Sequence, residues 1–141
     1  MDRLINFKIK NVDDVYSAVG RIIQAAQAWE EDYRTFVKLV GVEMEKKDIA
    51  TLRRVNNTLY ENGKITEKEK NDLNRVIHMR NYINHEFFLQ DFHKSYEWIE
   101  EELSEILHYI FEANDVVANM IDKFMGNGAL RPTVFDKEKS K

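Results

Sequence analysis

Between Asp13 and Val40 the apolar residues Val15, Val19, Ile22, Ala26, Trp29, Tyr33, Phe36 and Val40 recur at steps of three and four. At about 100° per residue that spacing gathers them on one face of an α-helix. Gly41 is placed to stop it. A second helix is predicted over about Lys46–Glu61, with Ile49, Leu52, Val55 and Leu59 inward. Asn62-Gly63 ends it, because glycine takes the left-handed conformation that helix ends commonly use. The third opens on Thr66-Glu67-Lys68-Glu69. There the threonine hydroxyl and the Glu69 carboxylate can each satisfy an orphan amide, as in a capping box. It continues through Leu73, Ile77, Ile83 and Phe87 to about Leu89, and a fourth runs from about Lys94 to Met125. Short connections between long amphipathic helices imply antiparallel neighbours. The expected fold is all-α, an up-down four-helix bundle over residues 12–125. An N-terminal arm (1–11) alternates weakly through Leu4, Phe7 and Ile9, and a loose C-terminal tail (126–141) carries Pro132.

Composition agrees with this outline. One proline and five glycines in 141 residues leave long helices uninterrupted. No cysteine is present, which removes disulfides and zinc–thiolate sites and makes a reducing cytoplasm the expected location. Met1–Lys10 lacks the apolar core of a signal peptide. No window approaches the roughly 20 apolar residues of a membrane span, so no membrane partner is expected. The net charge of −4 does not by itself suggest a nucleic-acid binder. Its distribution is uneven, however. Residues 46–80 hold nine Lys and Arg against five Asp and Glu, a balance of +4, whereas residues 94–125 hold two Lys against eight acids, a balance of −6. A basic patch on an acidic chain is compatible with RNA contact, and solvated helix faces explain the same pattern more plainly.

The stretch Arg80-Asn81-Tyr82-Ile83-Asn84-His85 carries the candidate chemistry. It combines a fixed cation, an amide and a side chain that titrates near neutrality, the groups needed to hold a phosphate and move a proton beside it. On an ideal wheel Leu73, Val76, Ile77, Ile83 and Phe87 fall within about 60° of Arg80, so Arg80 sits in the apolar stripe. An arginine there needs a partner, and the plain structural reading is a bridge to a carboxylate of another helix. His85 falls about 140° from Arg80, whereas Asn81 and His85, four apart, face the same way. Two arrangements can join Arg80 and His85 at one target: a helix that ends or deforms near His85, or two motifs meeting across a two-fold axis.

The Arg-Asn-three-residues-His pattern, late in the third helix of an all-α chain, resembles the signature of HEPN domains, small helical domains of prokaryotic toxin–antitoxin and defence systems. The resemblance covers roughly residues 12–125. It implies a metal-independent endoribonuclease that needs no cofactor and forms a 2′,3′-cyclic phosphate by attack of the ribose 2′-hydroxyl. By the same resemblance, Arg80 would steady the scissile phosphate and His85 would act as general acid/base. Asn81 would orient His85 or contact the phosphate. The implied partners are RNA, a second copy of the chain in a homodimer, and a cognate antitoxin protein. In members restrained by adenylylation a tyrosine stands two residues after the histidine. Here that residue is Phe87, and Tyr82 is not at the matching place, so this mode of restraint is not expected.

Two alternatives stand beside this reading: a non-catalytic HEPN-type interaction or nucleotide-binding module, and a Mg²⁺-dependent nucleotide pyrophosphohydrolase. The latter rests on Glu101-Glu102-Leu103-Ser104-Glu105 and Glu112-Ala113-Asn114-Asp115, whose carboxylates resemble the metal-holding motifs of all-α pyrophosphohydrolases. The gap between them is short. The wheel also puts Glu101, Glu105, His108, Glu112 and Asp115 opposite Leu103, Ile106, Ile110, Val117 and Ile121, as a solvated stripe. Glu105-Ile106-Leu107-His108 has the Glu-x-x-His spacing of di-iron bundles but no second copy. Phe87, Phe88, Phe92, Tyr96 and Trp98 read as a packed corner rather than a base-stacking platform. Glu30-Glu31-Asp32 and Asp13-Asp14 read as helix-end charges.

Overall fold

The computed structural model of the protein describes residues 6–41 and 51–126. Among them the chain is an all-helical bundle without strands. Helix α1 spans Val12–Val40, α2 Leu52–Glu61, α3 Glu67–Asn81, α4 Phe87–Gln90 and α5 Tyr96–Phe124. A single π-helical turn, Tyr82–Glu86, joins α3 to α4, so the two form one interrupted rod. Among the described residues no helix is long and apolar enough to cross a membrane.

The helix ends follow local chemistry. Asn11 Oδ1 accepts from the Asp14 amide, and Gly41 closes α1 at φ 68°. The capping box of α3 is complete: Thr66 Oγ1 accepts from Glu69 N at 3.1 Å, and Thr66 N donates to Glu69 Oε1 at 2.8 Å. Ser95 caps α5 through the Trp98 amide. Helix α2 begins later than the apolar pattern implies. Thr51 is extended and its hydroxyl accepts from Arg54 N, so the helix opens at Leu52 rather than near Lys46. The rest of that expected start, including Ile49, lies outside the described residues, as do residues 1–5 of the arm and 127–141 of the tail.

Helices α1 and α5 form the main packed pair. Val15, Ile22, Trp29, Tyr33 and Phe36 of α1 and Leu103, Leu107, Ile110 and Ala113 of α5 are essentially solvent-free. Helix α2 packs on α3, α3 on α5, and the π turn on α1. One buried polar hub ties three of these together. Tyr33 Oη donates to Asn56 Oδ1 at 2.8 Å, and Asn56 Nδ2 donates to Lys70 O at 2.8 Å and to Asn74 Oδ1 at 3.0 Å. Desolvation pushes the Tyr33 hydroxyl far above its ordinary pKa, so it remains a donor.

The expected solvated stripe of α5 is only partly solvated. Glu101 and Glu105 are exposed, but His108, Glu112 and Asp115 are buried. The consecutive residues Ile106, Leu107, His108, Tyr109 and Ile110 are all buried, which covers the full circumference of the helix. The arm contributes to this enclosure. Phe7 N donates to Ser104 Oγ at 2.9 Å, Ile9 N donates to Glu100 Oε2 at 2.8 Å, and the Ile9 side chain is buried.

Candidate functional site

The third rod deforms at the motif itself. Phe87 N–H bonds the carbonyl of Tyr82, five residues back, in place of the usual four. The turn is held on both sides. Ile83 and Phe87 are buried in the core, and the Tyr82 hydroxyl donates to Asp91 Oδ2 beyond α4. Phe87, Phe88 and Phe92 stack edge-on or tilted against one another, with Tyr16 of α1 on Phe88 and Phe92, which is the packed corner the aromatic run predicts. Tyr96 and Trp98 stand outside this set: Tyr96 is exposed, and Lys94 Nζ lies over the Trp98 ring.

A turn closed by a hydrogen bond to the fifth residue back is wound more loosely than an α-helix, so it rotates less than 100° per residue. The straight-helix separation of about 140° between Arg80 and His85 therefore shrinks. Both line one cavity of about 250 Å³ within a single chain, together with Asn81, Ile77, Arg34, Thr51, Leu52 and Arg53. Arg34 comes from α1, Arg53 from the first turn of α2, Arg80 and Asn81 from the end of α3, and His85 from the π turn. Among the described residues the lining thus holds three guanidinium groups and no carboxylate. Arg34 and Arg80 also border a wider groove of about 620 Å³ along α1, with Gln27, Glu30, Lys38 and Asn84.

The carboxylate that the position of Arg80 calls for comes from α1. Arg80 Nη2 lies 3.0 Å from Glu30 Oε1, and Arg34 Nε lies 3.1 Å from Glu30 Oε2. Each oxygen of Glu30 therefore carries one arginine. Arg80 Nη1 donates to Asn81 Oδ1 at 3.1 Å. Asn81 is therefore a hydrogen-bond partner of Arg80. A guanidinium has five N–H donors, so the two bonds to Glu30 and Asn81 leave three. The Arg80 side chain is 27% exposed, enough to offer them to a ligand. His85 is exposed at the rim.

His78 does not join His85. It lines a separate cavity of about 310 Å³ with Tyr82, Asp91, Trp98, Glu102 and Glu105. Burial raises the Tyr82 hydroxyl well above its usual pKa, and its hydrogen bond to Asp91 adds to this. Burial also raises the Glu102 carboxyl, followed by the like charges of Glu105, Asp91 and Glu101. Among the described residues no three His, Asp or Glu side chains are gathered to hold a metal ion.

Two residues of the site, Arg34 and Arg53, were not singled out in the sequence and carry no motif. Glu30 was read as a helix-end charge, whereas it lies mid-helix in α1. The Glu30–Arg34 spacing of four was a readable signal for their pairing, and Arg53 belongs to the basic stretch 46–80. No family model, curated protein or solved structure matches the chain.

Proposed function

We propose that the protein is an up-down four-helix domain of HEPN type that acts as a metal-independent endoribonuclease of a toxin–antitoxin or defence system. One observation carries the reading: Arg80, Asn81 and His85 line the same cavity of a single chain, with Arg34 and Arg53 and, among the described residues, no acid. Arg80 presents donors to a phosphodiester whose charge grows as the 2′-oxygen attacks, the setting in which fixed donors contribute most. His85 takes the proton of the 2′-hydroxyl or supplies one to the leaving 5′-oxygen. The P–O5′ bond breaks as the P–O2′ bond forms, leaving a 2′,3′-cyclic phosphate and a free 5′-hydroxyl. Asn81 and Glu30 act through Arg80 by fixing its fork. A homodimer through the face around α3 and a restraining antitoxin protein belong to the same proposal. Phe88 and Leu89 of α4, 40% and 86% exposed, supply apolar surface for such contact.

A second reading has its own support. Glu30 already neutralises one charge on the Arg80–Arg34 pair, as in a structural ion pair of a non-catalytic interaction module. Cleavage of RNA by the purified protein in excess chelator separates the two. The expected result is cleavage that Arg80→Ala and His85→Ala each abolish. His85→Ala is expected to melt with the parent because the side chain is exposed. Cleavage by a folded His85→Ala at the parent's rate would overturn the catalytic assignment. Loss in chelator, with rescue by Mg²⁺ and loss on Glu105→Gln, would favour the pyrophosphohydrolase.

A further inference from the structure

Among the described residues, the arginines of the cavity and the carboxylate bound to them do not balance with one phosphate. Arg34, Arg53 and Arg80 bring three positive charges, and Glu30 returns one. A scissile phosphodiester returns a second. One positive charge is left, and among the described residues Arg53 is the arginine of the three that no carboxylate touches. It stands in the first turn of α2 with its neighbours Thr51 and Leu52 in the cavity wall.

We infer that Arg53, assisted by the free Nη groups of Arg34, holds a second phosphate, that of the nucleotide next to the one being cut. The inference rests on the ribonuclease reading for its substrate and adds a specificity-determining subsite to it. Arg34 is suited to the assisting role because Glu30 engages only its Nε, which leaves the outer edge of the fork to a phosphate oxygen. The two phosphates of one nucleotide step then meet different arginines. Arg80 faces the phosphorus that reacts, and Arg53 faces one that does not. Binding energy gathered at a non-reacting phosphate is the kind an enzyme can spend on aligning the reacting one.

Two RNAs test this with the intact protein: a dinucleotide with only its internal phosphate, and the same dinucleotide with an added terminal phosphate, at the 5′ end in one arm and the 3′ end in the other. In the parent the added phosphate is expected to raise kcat/KM about tenfold in one arm, the scale of a charge-assisted contact. In Arg53→Ala the ratio between the two RNAs falls to about one, and Arg53→Lys restores part of it. Thermal melting confirms that each variant is folded. A ratio that survives in folded Arg53→Ala, or no gain in either arm, overturns the inference. Titration with the 2′-O-methyl forms, which cannot be cleaved, gives the same comparison as binding. An Arg53-dependent gain in binding without any cleavage of the unmodified RNAs would uphold the second phosphate site and sink the ribonuclease reading. Cleavage without that dependence would do the reverse.

Discussion

A guanidinium placed beside Ile77 and Ile83 costs free energy unless its N–H groups find acceptors, and Arg80 finds two in Glu30 and Asn81. The bonds that make the position tolerable also aim the fork, so stability and site geometry rest on the same two contacts. Glu102 is the opposite case. Burial and the nearby acids Glu105, Asp91 and Glu101 raise its carboxyl, so the folded chain binds that proton more readily than the unfolded chain. The stability this contributes is fully present below the unfolded value near pH 4.3 and is lost as pH rises through the raised folded value. Glu102→Gln, uncharged throughout, is therefore expected to melt above the parent at pH 7, with the gap closing toward about pH 4. Thermal melts across that range check it, and a gap that widens on acidification contradicts it.

At the scale of elements, the capping box of α3 and the π turn that follows it have different origins. Thr66 and Glu69 satisfy each other's backbone amides within four residues, and nothing distant is needed. Thr66→Ala is expected to cost about 1 kcal/mol, a fall in melting temperature of about 3–5 °C for a chain of this size. Calorimetry of the two proteins decides it, and an unchanged melting temperature would mean that the cap contributes nothing. The π turn depends on fixed points to either side, buried Ile83 and Phe87 and the tether from Tyr82 to Asp91. A helical wheel counts every residue at the same angle, so it separated Arg80 from His85 and offered a helix deformation or a two-fold axis as remedies. The deformation is the remedy present in the chain. His78, before the π turn, and His85, within it, line different cavities.

At the scale of the whole molecule, the cavity shared by the three motif residues lies within one chain, so the proposed homodimer is not needed to complete the site. Leu89, 86% exposed on α4, is a natural point to disturb such a dimer. Leu89→Lys is expected to lower the mass seen by light scattering from dimer to monomer at micromolar concentration, with cleavage per chain retained. A monomeric variant that folds but no longer cleaves would place part of the site across the two-fold axis.

Helix type and several boundaries among the described residues could be read from the residues alone, because periodicity, caps and glycine stops act over a few positions: Gly41, Thr66 and Gly63 do locally what their chemistry dictates. So could Arg80, Asn81 and His85 as candidates, because they stand together in one short stretch. The carboxylate that meets Arg80, the arginines that share its cavity, the docking of Phe7 and Ile9 on α5, and the burial of His108, Glu112 and Asp115 were decided only by the tertiary structure. Each depends on which helices lie side by side. A polar residue carries no local sign of whether the surface it faces will be water or another helix.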